Sequence, residues 1–382
     1  MKGFSRRTFL CGATALCGSV LRDFEGAASE LMDVPCGKGA VSSEPNSTSL
    51  AALAARQGRF FGCSVKDQLF TDLPFQSLVL NQCNMLVCTY SMKRRHLERQ
   101  PGQFNFKSSD RYVDFATLNG MKIRGHALVW EKELPPWAAD ELFNYGFAAL
   151  ERYIRGVSGH YAGRLHSWDV VNEAVMPGDG RQDRLKDNIF LQTLGPSYIA
   201  AAFSIAREAD PEALLYYNAN PAPYRREGER QHFESVIALL ERLISRNVPV
   251  QGLGLQGHLT AAFDDQFDET MLVWFFERAS ALNLEIAITE LDVTDKWLPQ
   301  DVSLRDRRVA ASYRRLLDVA LDFIAFKGVL TWGLSDRYTG LNRWRRQDGW
   351  AVRGLPYDHC LQPKLARDQI AAAFLAHEPD RG

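Results

Sequence analysis

Trp168-Asp169-Val170-Val171-Asn172-Glu173 and Ile286-Ala287-Ile288-Thr289-Glu290-Leu291-Asp292-Val293 are the two stretches on which the fold turns. Each is an apolar, β-branched run that ends in carboxylates. Strands covered on both faces are nearly continuous in apolar residues. In a closed (β/α)8 barrel the functional groups sit at the C-terminal strand ends. Glu173 and Glu290 therefore read as two carboxyl groups delivered by different strands to one barrel mouth.

Working outward, the same kind of run recurs at Phe60–Val65, Met85–Thr89, Lys122–Trp130, His166–Glu173, Leu214–Asn218, Val250–His258, Glu285–Val293 and Val329–Ser335. Helical patterns fill most intervals, among them Ser109–Asn119, Tyr145–Tyr161, Pro196–Ala209, Glu229–Asn247, Glu269–Asn283 and Leu304–Phe326. Repeated β/α units predict an α/β protein built as a single (β/α)8 TIM barrel. An open doubly wound sheet is the alternative.

The 382 residues carry a formal net charge of −1. That balance gives no global pull toward nucleic acid or an anionic membrane surface. Ser5-Arg6-Arg7-Thr8-Phe9-Leu10, a weakly apolar stretch to Leu21 and the small residues Gly26-Ala27-Ala28-Ser29 predict a twin-arginine export signal over residues 1–29. Export by that route places the mature protein in the periplasm or outside the cell, with no membrane insertion. Residues 30–49 read as a linker and 50–382 as the barrel domain. Outside the signal the cysteines are Cys36, Cys63, Cys83, Cys88 and Cys360. An odd number without regular spacing is no disulfide framework, and the absence of C-x-x-C argues against a zinc knuckle.

A pair of carboxyl groups over one pocket is what glycoside hydrolysis requires. One acid protonates the leaving oxygen and one carboxylate serves the other face of the sugar. Glu290 needs donors to stay ionised, and Gln256 and His258, ending the preceding strand, are placed to supply them. Asp292 stands two residues beyond Glu290 on the same side of the strand. It can fix the tautomer of His258. The run Gly252-Leu253-Gly254-Leu255-Gln256-Gly257 matches a dinucleotide fingerprint in letters. It lies inside a strand pattern rather than in a strand-to-helix turn, so close packing or sugar approach explains its glycines better.

Further strings complete the pattern. They are Phe61-Gly62, Pro101-Gly102-Gln103-Phe104-Asn105-Phe106, Arg124-Gly125-His126-Ala127-Leu128-Val129-Trp130, Ala206-Arg207-Glu208-Ala209-Asp210-Pro211, Gln256-Gly257-His258, Thr331-Trp332-Gly333-Leu334-Ser335-Asp336 and Pro363-Lys364. With these the chain resembles glycoside hydrolase family 10, the retaining endo-β-1,4-xylanases, from about Phe60 to Ala376. The resemblance implies a barrel without cofactor or metal, acting on a polysaccharide, with Glu173 as acid/base and Glu290 as nucleophile. It implies that Lys93, His126, Asn172 and Gln256 contact the sugar at the cleavage point, that Trp130 belongs to the same surroundings, that His258 and Asp292 support Glu290, and that Trp332 lies beneath the sugar. Ionised Glu290 is expected to raise the pKa of Glu173.

The chain departs from that family in the cleft. Its string Thr89-Tyr90-Ser91-Met92-Lys93-Arg94 keeps the lysine but lacks the usual Glu-Asn pair and the Trp after the lysine. Glu131 stands where a His is usual, Asn218-Ala219-Asn220-Pro221 replaces Asn-Asp-Tyr-Asn, and Gly340 replaces a second Trp. Arg94, Arg337, Arg343, Arg345 and Arg346 fall near these changes. They are expected either to grip an acidic polysaccharide in bidentate fashion or to form a solvated surface with Asp336 and Asp348. A non-catalytic carbohydrate-binding descendant of the family is the alternative function, and a nicotinamide enzyme a third class.

Overall fold

Phe60–Val65 (β1), Met85–Cys88 (β2), Lys122–Val129 (β3), Ser167–Asn172 (β4), Leu214–Ala219 (β5), Gly252–Leu255 (β6), Glu285–Thr294 (β7) and Phe326–Thr331 (β8) are almost wholly buried strands. The computed structural model describes residues 49–344 and 346–378, so the expected export signal and nearly all of the linker lie outside the described residues. Among these residues the eight strands pair in parallel in the order β8-β1-β2-β3-β4-β5-β6-β7, and a β7–β8 pairing closes the ring. The expected (β/α)8 barrel is the observed one.

The intervening helices are Leu73–Gln82 (α1), Lys107–Leu118 (α2), Phe147–His160 (α3), Tyr198–Ala209 (α4), Glu229–Ile244 (α5), Glu269–Ala281 (α6), Val302–Leu321 (α7) and, after β8, Leu365–Ala376 (α8). Acidic side chains cap several of them. Asp72, Asp268 and Asp301 accept from Phe75 N, Met271 N and Leu304 N at 3.2, 3.1 and 3.0 Å, satisfying donors that the first helical turn leaves free. Asp72 also accepts from Arg337 at 2.7 Å and Tyr338 at 2.5 Å, which ties the start of α1 to the loop after β8. No helix among the described residues is long and apolar enough to cross a membrane.

Two boundaries differ from the sequence pattern. The apolar letters Val319 to Phe326 continue a helical period, yet α7 stops at Leu321 and a turn joins Phe326 N to Phe323 O at 3.0 Å. Phe326 thereby opens β8, pairing with β7 and starting the strand before Val329. The ladder claims Phe326, which is buried at the start of β8. The expected strand Val250–His258 is split into β6 and a short strand, His258–Thr260, which pairs with the end of β7.

Glycines make the narrow barrel fit. A Cβ on Gly125 would lie 2.1 Å from the Trp168 ring, and one on Gly254 would lie 2.3 Å from Asn218 Oδ1. Gly252 and Gly254 of β6 thus make room for Tyr216 and Asn218 of β5, and a strand rather than a helix follows Gly257. The strand–turn–helix context of a dinucleotide fingerprint is not built there.

Cys63, Cys83 and Cys88 are free and buried, and Cys360 is disulfide-bonded. Trp168 is fully buried against the space that Gly125 leaves. Trp168→Ala is expected to cost about 3–5 kcal/mol of stability through the cavity left behind, read as a lowered urea midpoint with an unchanged slope.

Candidate active site

The mouth of the barrel is built from main-chain ladders that end in side chains. Glu173 N donates to Asn218 O at 2.9 Å, Gln256 N to Ala219 O at 2.8 Å and Glu290 N to Gln256 O at 2.8 Å. Each pairing sets a polar side chain beside the next. Asn172 and Asn218 are register partners, and Asn218 faces Gly254. Glu173 takes a left-handed conformation, φ 55°, as the chain leaves β4. For a residue with a side chain that region is disfavoured by roughly 1–2 kcal/mol.

Glu173 and Glu290 are each 5 % exposed. They are joined by a continuous run of amides. Asn218 Nδ2 donates to Glu290 Oε1 and to Asn172 Oδ1, both at 2.9 Å. Gln256 Nε2 lies 3.4 Å from the same Asn172 oxygen and donates to Glu173 Oε1 at 3.0 Å. Thr289 Oγ1 donates to Asn218 Oδ1 at 2.7 Å, which fixes the orientation of that amide. Asn172 Nδ2 and Trp130 Nε1 are buried donors with no partner among the described residues. Unpaired buried donors are costly, and hydroxyl groups of a bound sugar are suitable acceptors for them.

On the other side of Glu290, His258 contacts its Oε2 through Nε2 at 3.3 Å and Asp292 Oδ1 through Nδ1 at 2.8 Å. Burial works to lower the imidazole pKa, but the carboxylates of Asp292 and then Glu290 outweigh it and hold His258 well above its ordinary value. His126 is oriented by Asp169, whose Oδ2 lies 2.9 Å from Nδ1. Asp169 is in turn bonded to buried Arg124, which also holds Ser167 at 3.0 Å. The Trp332 ring stands edge-to-face with His126 and His258, at centroid distances of 5.4 and 6.4 Å. Lys93 Nζ lies 4.6 Å from the Trp130 ring centroid, and burial lowers its pKa.

All ten residues singled out from sequence thus join one connected set. One expected pairing is different. Gln256 serves Glu173 and Asn172 rather than Glu290: its side-chain amide turns toward β4, and only its main-chain carbonyl meets Glu290, accepting from Glu290 N. Asn218, absent from the sequence-derived set, supplies the amide to Glu290. Its position at the end of an apolar strand run was the available signal. Asp169 and Arg124 were overlooked as supports of His126, although both lie inside quoted strings.

Two lysines overturn the expected electrostatics of Glu173. Lys132 Nζ is 2.7 Å and Lys186 Nζ 3.5 Å from Glu173 Oε2, and Lys186 also pairs with Glu131. Burial alone would raise the Glu173 pKa, but the hydrogen bonds from Lys132 and Gln256 and the charges of Lys132 and Lys186 bring it down to about 2. The carboxyl is lowered, not raised as expected from the proximity of Glu290.

The arginines expected at the cleft are mostly structural. Arg94 is buried, bonded to Glu98 at 2.8 Å and Glu141 at 2.6 Å, and packed on Tyr153 and Trp137. Arg337 holds Asp72 and His359 O, both at 2.7 Å. Arg346 is buried and binds Asp348 and the carbonyls of Asp295 and Leu298. Internal acceptors commit these three guanidinium groups to the fold, while Arg94 Nη1 stays buried without a partner among the described residues. The alternative of a solvated surface with Asp336 fails as well, since Asp336 is buried and paired with Lys364 at 2.6 Å. Arg343 is exposed, and Arg345 lies outside the described residues.

Among the described residues no group of three or more His, Cys, Asp or Glu could hold a metal ion.

The family model described as "Glycosyl hydrolase family 10" matches residues 49–373. The chain belongs to glycosyl hydrolase family 10. It is a glycoside hydrolase of the endo-1,4-β-xylanase type. Among its relatives is endo-1,4-beta-xylanase 5 of Pyricularia oryzae, 34 % identical over 337 residues, covering 86 % of this chain and 78 % of that protein. The beta-1,4-xylanase of Dictyoglomus thermophilum is 32 % identical over 76 % of this chain and 82 % of its own. Among solved structures, native xylanase 10B from Thermotoga maritima superposes with a TM-score of 0.78 at 28 % identity, covering 87 % of this chain and all of that one.

Two outcomes check the geometry of this family 10 site. Asn218→Ala removes the donor shared by Glu290 and Asn172, and kcat should fall about 10²-fold, the scale of losing one preorganised donor, with far-UV circular dichroism unchanged. The raised pKa of His258 stabilises the fold most fully below the unfolded value of about 6.5. That contribution is lost as pH rises through the folded value. The melting-temperature advantage of wild type over His258→Gln should therefore shrink steadily above neutral pH; a constant difference would contradict the pairing with Asp292 and Glu290.

Proposed function

We propose that this family 10 enzyme hydrolyses β-1,4-linked xylan, or a closely related polymer, internally and with retention of anomeric configuration. The observation that carries the proposal is the amide run joining Glu290 to Glu173 through Asn218, Asn172 and Gln256. It places two buried carboxyl groups under common control, one for each side of a glycosidic bond.

In the first step Glu290 attacks the anomeric carbon, its carbon–oxygen bond forms, and the bond to the leaving oxygen breaks. Glu173 transfers a proton to that oxygen. In the second step Glu173, now ionised, takes a proton from water, which attacks the same carbon and frees Glu290. Cationic His258 and the Asn218 amide stabilise the Glu290 carboxylate, while Asp292 holds His258. Asn172 Nδ2 donates to a hydroxyl of the sugar being cleaved, and Lys93, His126, Trp130 and Trp332 line its surroundings. Xylanase 10B from Thermotoga petrophila, a structural relative with TM-score 0.79 and 26 % identity, was crystallised with xylobiose, and by likeness a xylose disaccharide suits this cleft.

A carbohydrate-binding descendant without turnover is not favoured, because both carboxylates and their supports are in place. We further propose export by the twin-arginine route, supported by Arg6 and Arg7; replacing both with lysine should leave the enzyme in the cytoplasm on cell fractionation.

The deciding experiment measures reducing ends released from unsubstituted xylan, glucuronoxylan and mixed-linkage glucan. Wild type should cleave a xylan, Glu290→Gln should show no turnover, and Glu173→Gln should lose about 10²–10⁴-fold in kcat/KM. Proton NMR of the first product should show the β-anomer. Inactivity of wild type on every polymer would defeat the proposal.

A further inference from the structure

Lys132 is the feature of the site that a general acid does not need. It lies in the turn after β3 and bonds Glu173 Oε2 at 2.7 Å, yet its own side chain is 55 % exposed. Lys186, also facing Glu173, differs in kind: its side chain is 13 % exposed and is held by Glu131. One lysine is built in. The other reaches the carboxylate from solvent, and among the described residues its ion-pair partner is Glu173. An ammonium at hydrogen-bond distance stabilises a carboxylate strongly in a buried site. The pair must therefore open before Glu173 can carry the proton that a glycosidic oxygen requires.

We propose that Lys132 makes cleavage depend on a negative charge carried by the substrate: a uronate carboxylate beside the scissile bond takes the Lys132 ammonium and frees Glu173 to bind a proton. This inference rests on Glu173 being the acid/base. The proton comes from solvent, passes from Glu173 to the leaving oxygen as the carbon–oxygen bond breaks, and is restored when water is deprotonated in the second step. A neutral sugar offers only hydroxyl groups, against which the Glu173 carboxylate is the stronger acceptor, so the ion pair persists. A uronate is an acceptor of equal charge, located where the leaving sugar must approach Glu173. Specificity for an acidic polymer then resides in a lysine on the reacting group rather than in Arg94, Arg337 and Arg346, which internal acceptors hold.

The other groups facing Glu173 do not perform this switch. Gln256 is neutral, Lys186 is pinned by Glu131, and Lys93 is more distant, held beside Glu133 and the Trp130 ring. His232 of α5 is kept uncharged at working pH, because burial lowers its pKa to about 4. Tyr217 is buried, which raises its pKa. Across the cleft, Glu290, His258 and His126 are engaged with Asn218, Asp292 and Asp169. With Lys132 removed, the largest influence lowering the Glu173 pKa is gone while burial remains, so the carboxyl holds its proton to higher pH.

The test compares kcat/KM across pH for wild type, Lys132→Met and Lys132→Arg. The substrates are a neutral β-1,4-xylo-oligosaccharide and the same oligosaccharide bearing one glucuronic acid. A dinitrophenyl β-xylobioside, whose leaving group needs no proton, is included for wild type and Glu290→Gln. Wild type should prefer the acidic oligosaccharide by about 10²-fold, within the range that general acid catalysis contributes. Lys132→Met should bring that ratio near one by gaining on the neutral substrate, with the alkaline limb of its profile moved to higher pH. Lys132→Arg should keep the preference. Equal rates of wild type on both oligosaccharides, or an equal loss on both in Lys132→Met with an unmoved profile, would overturn the inference. Absence of Glu290-dependent turnover of the dinitrophenyl glycoside would instead overturn the two-carboxylate mechanism beneath it.

Discussion

Keeping two carboxylates charged inside a protein is expensive, and the barrel mouth is organised around that cost. An unpaired buried charge is penalised by several kcal/mol, so each oxygen of Glu173 and Glu290 is supplied with a donor. Asn218 and Gln256 contribute one each, His258 and Lys132 the others. Asn218, Gln256 and His258 are themselves held by Thr289, Asn172 and Asp292. The demand reaches into the barrel wall. Gly254 has to lack a side chain because the Asn218 amide fills the space opposite.

The same demand separates structural from reactive charge. Arg94 with Glu98 and Glu141, Arg346 with Asp348, and Lys364 with Asp336 close into pairs that leave little charge to offer outward. Lys93, Lys132 and Lys186 face the mouth beside cationic His258. A lysine on a flexible stem can change partners, whereas a bidentate guanidinium is committed by its geometry. The cleft thus carries its adaptable charge on the side chains best able to give it up.

Much of this was legible in the letters. Buried parallel strands announce themselves as apolar runs, so the barrel and the strand-end positions of Glu173 and Glu290 follow from the sequence. Asp292 could be placed beside His258 by strand alternation. What escaped depended on contacts between elements distant in the chain. The amide of Gln256 had two carboxylates within reach, and it meets Glu173 while Asn218 serves Glu290. Lys132 gave no signal, since a lysine in a polar turn is ordinary until its tip is seen on Glu173. The arginines misled because proximity in sequence to a strand end does not reveal that internal carboxylates and carbonyls already engage the guanidinium. Phe326 belongs to a strand although its letters fit a helix, because helix and buried-strand patterns coincide over a short apolar run.

The closing pair of strands also bears on how the polypeptide is made. β1 is completed on one side by β8, more than two hundred and fifty residues later in the chain, as Phe60 pairs with Gly328. Until β8 leaves the ribosome, β1 and β7 each present an unsatisfied edge, the kind of surface that recruits wrong partners. The Asp72 link from α1 to Arg337 and Tyr338 waits for the same event. The ring is therefore sealed late in synthesis, and a nascent chain stalled before Phe326 would be a sticky, incomplete cylinder rather than a smaller stable protein.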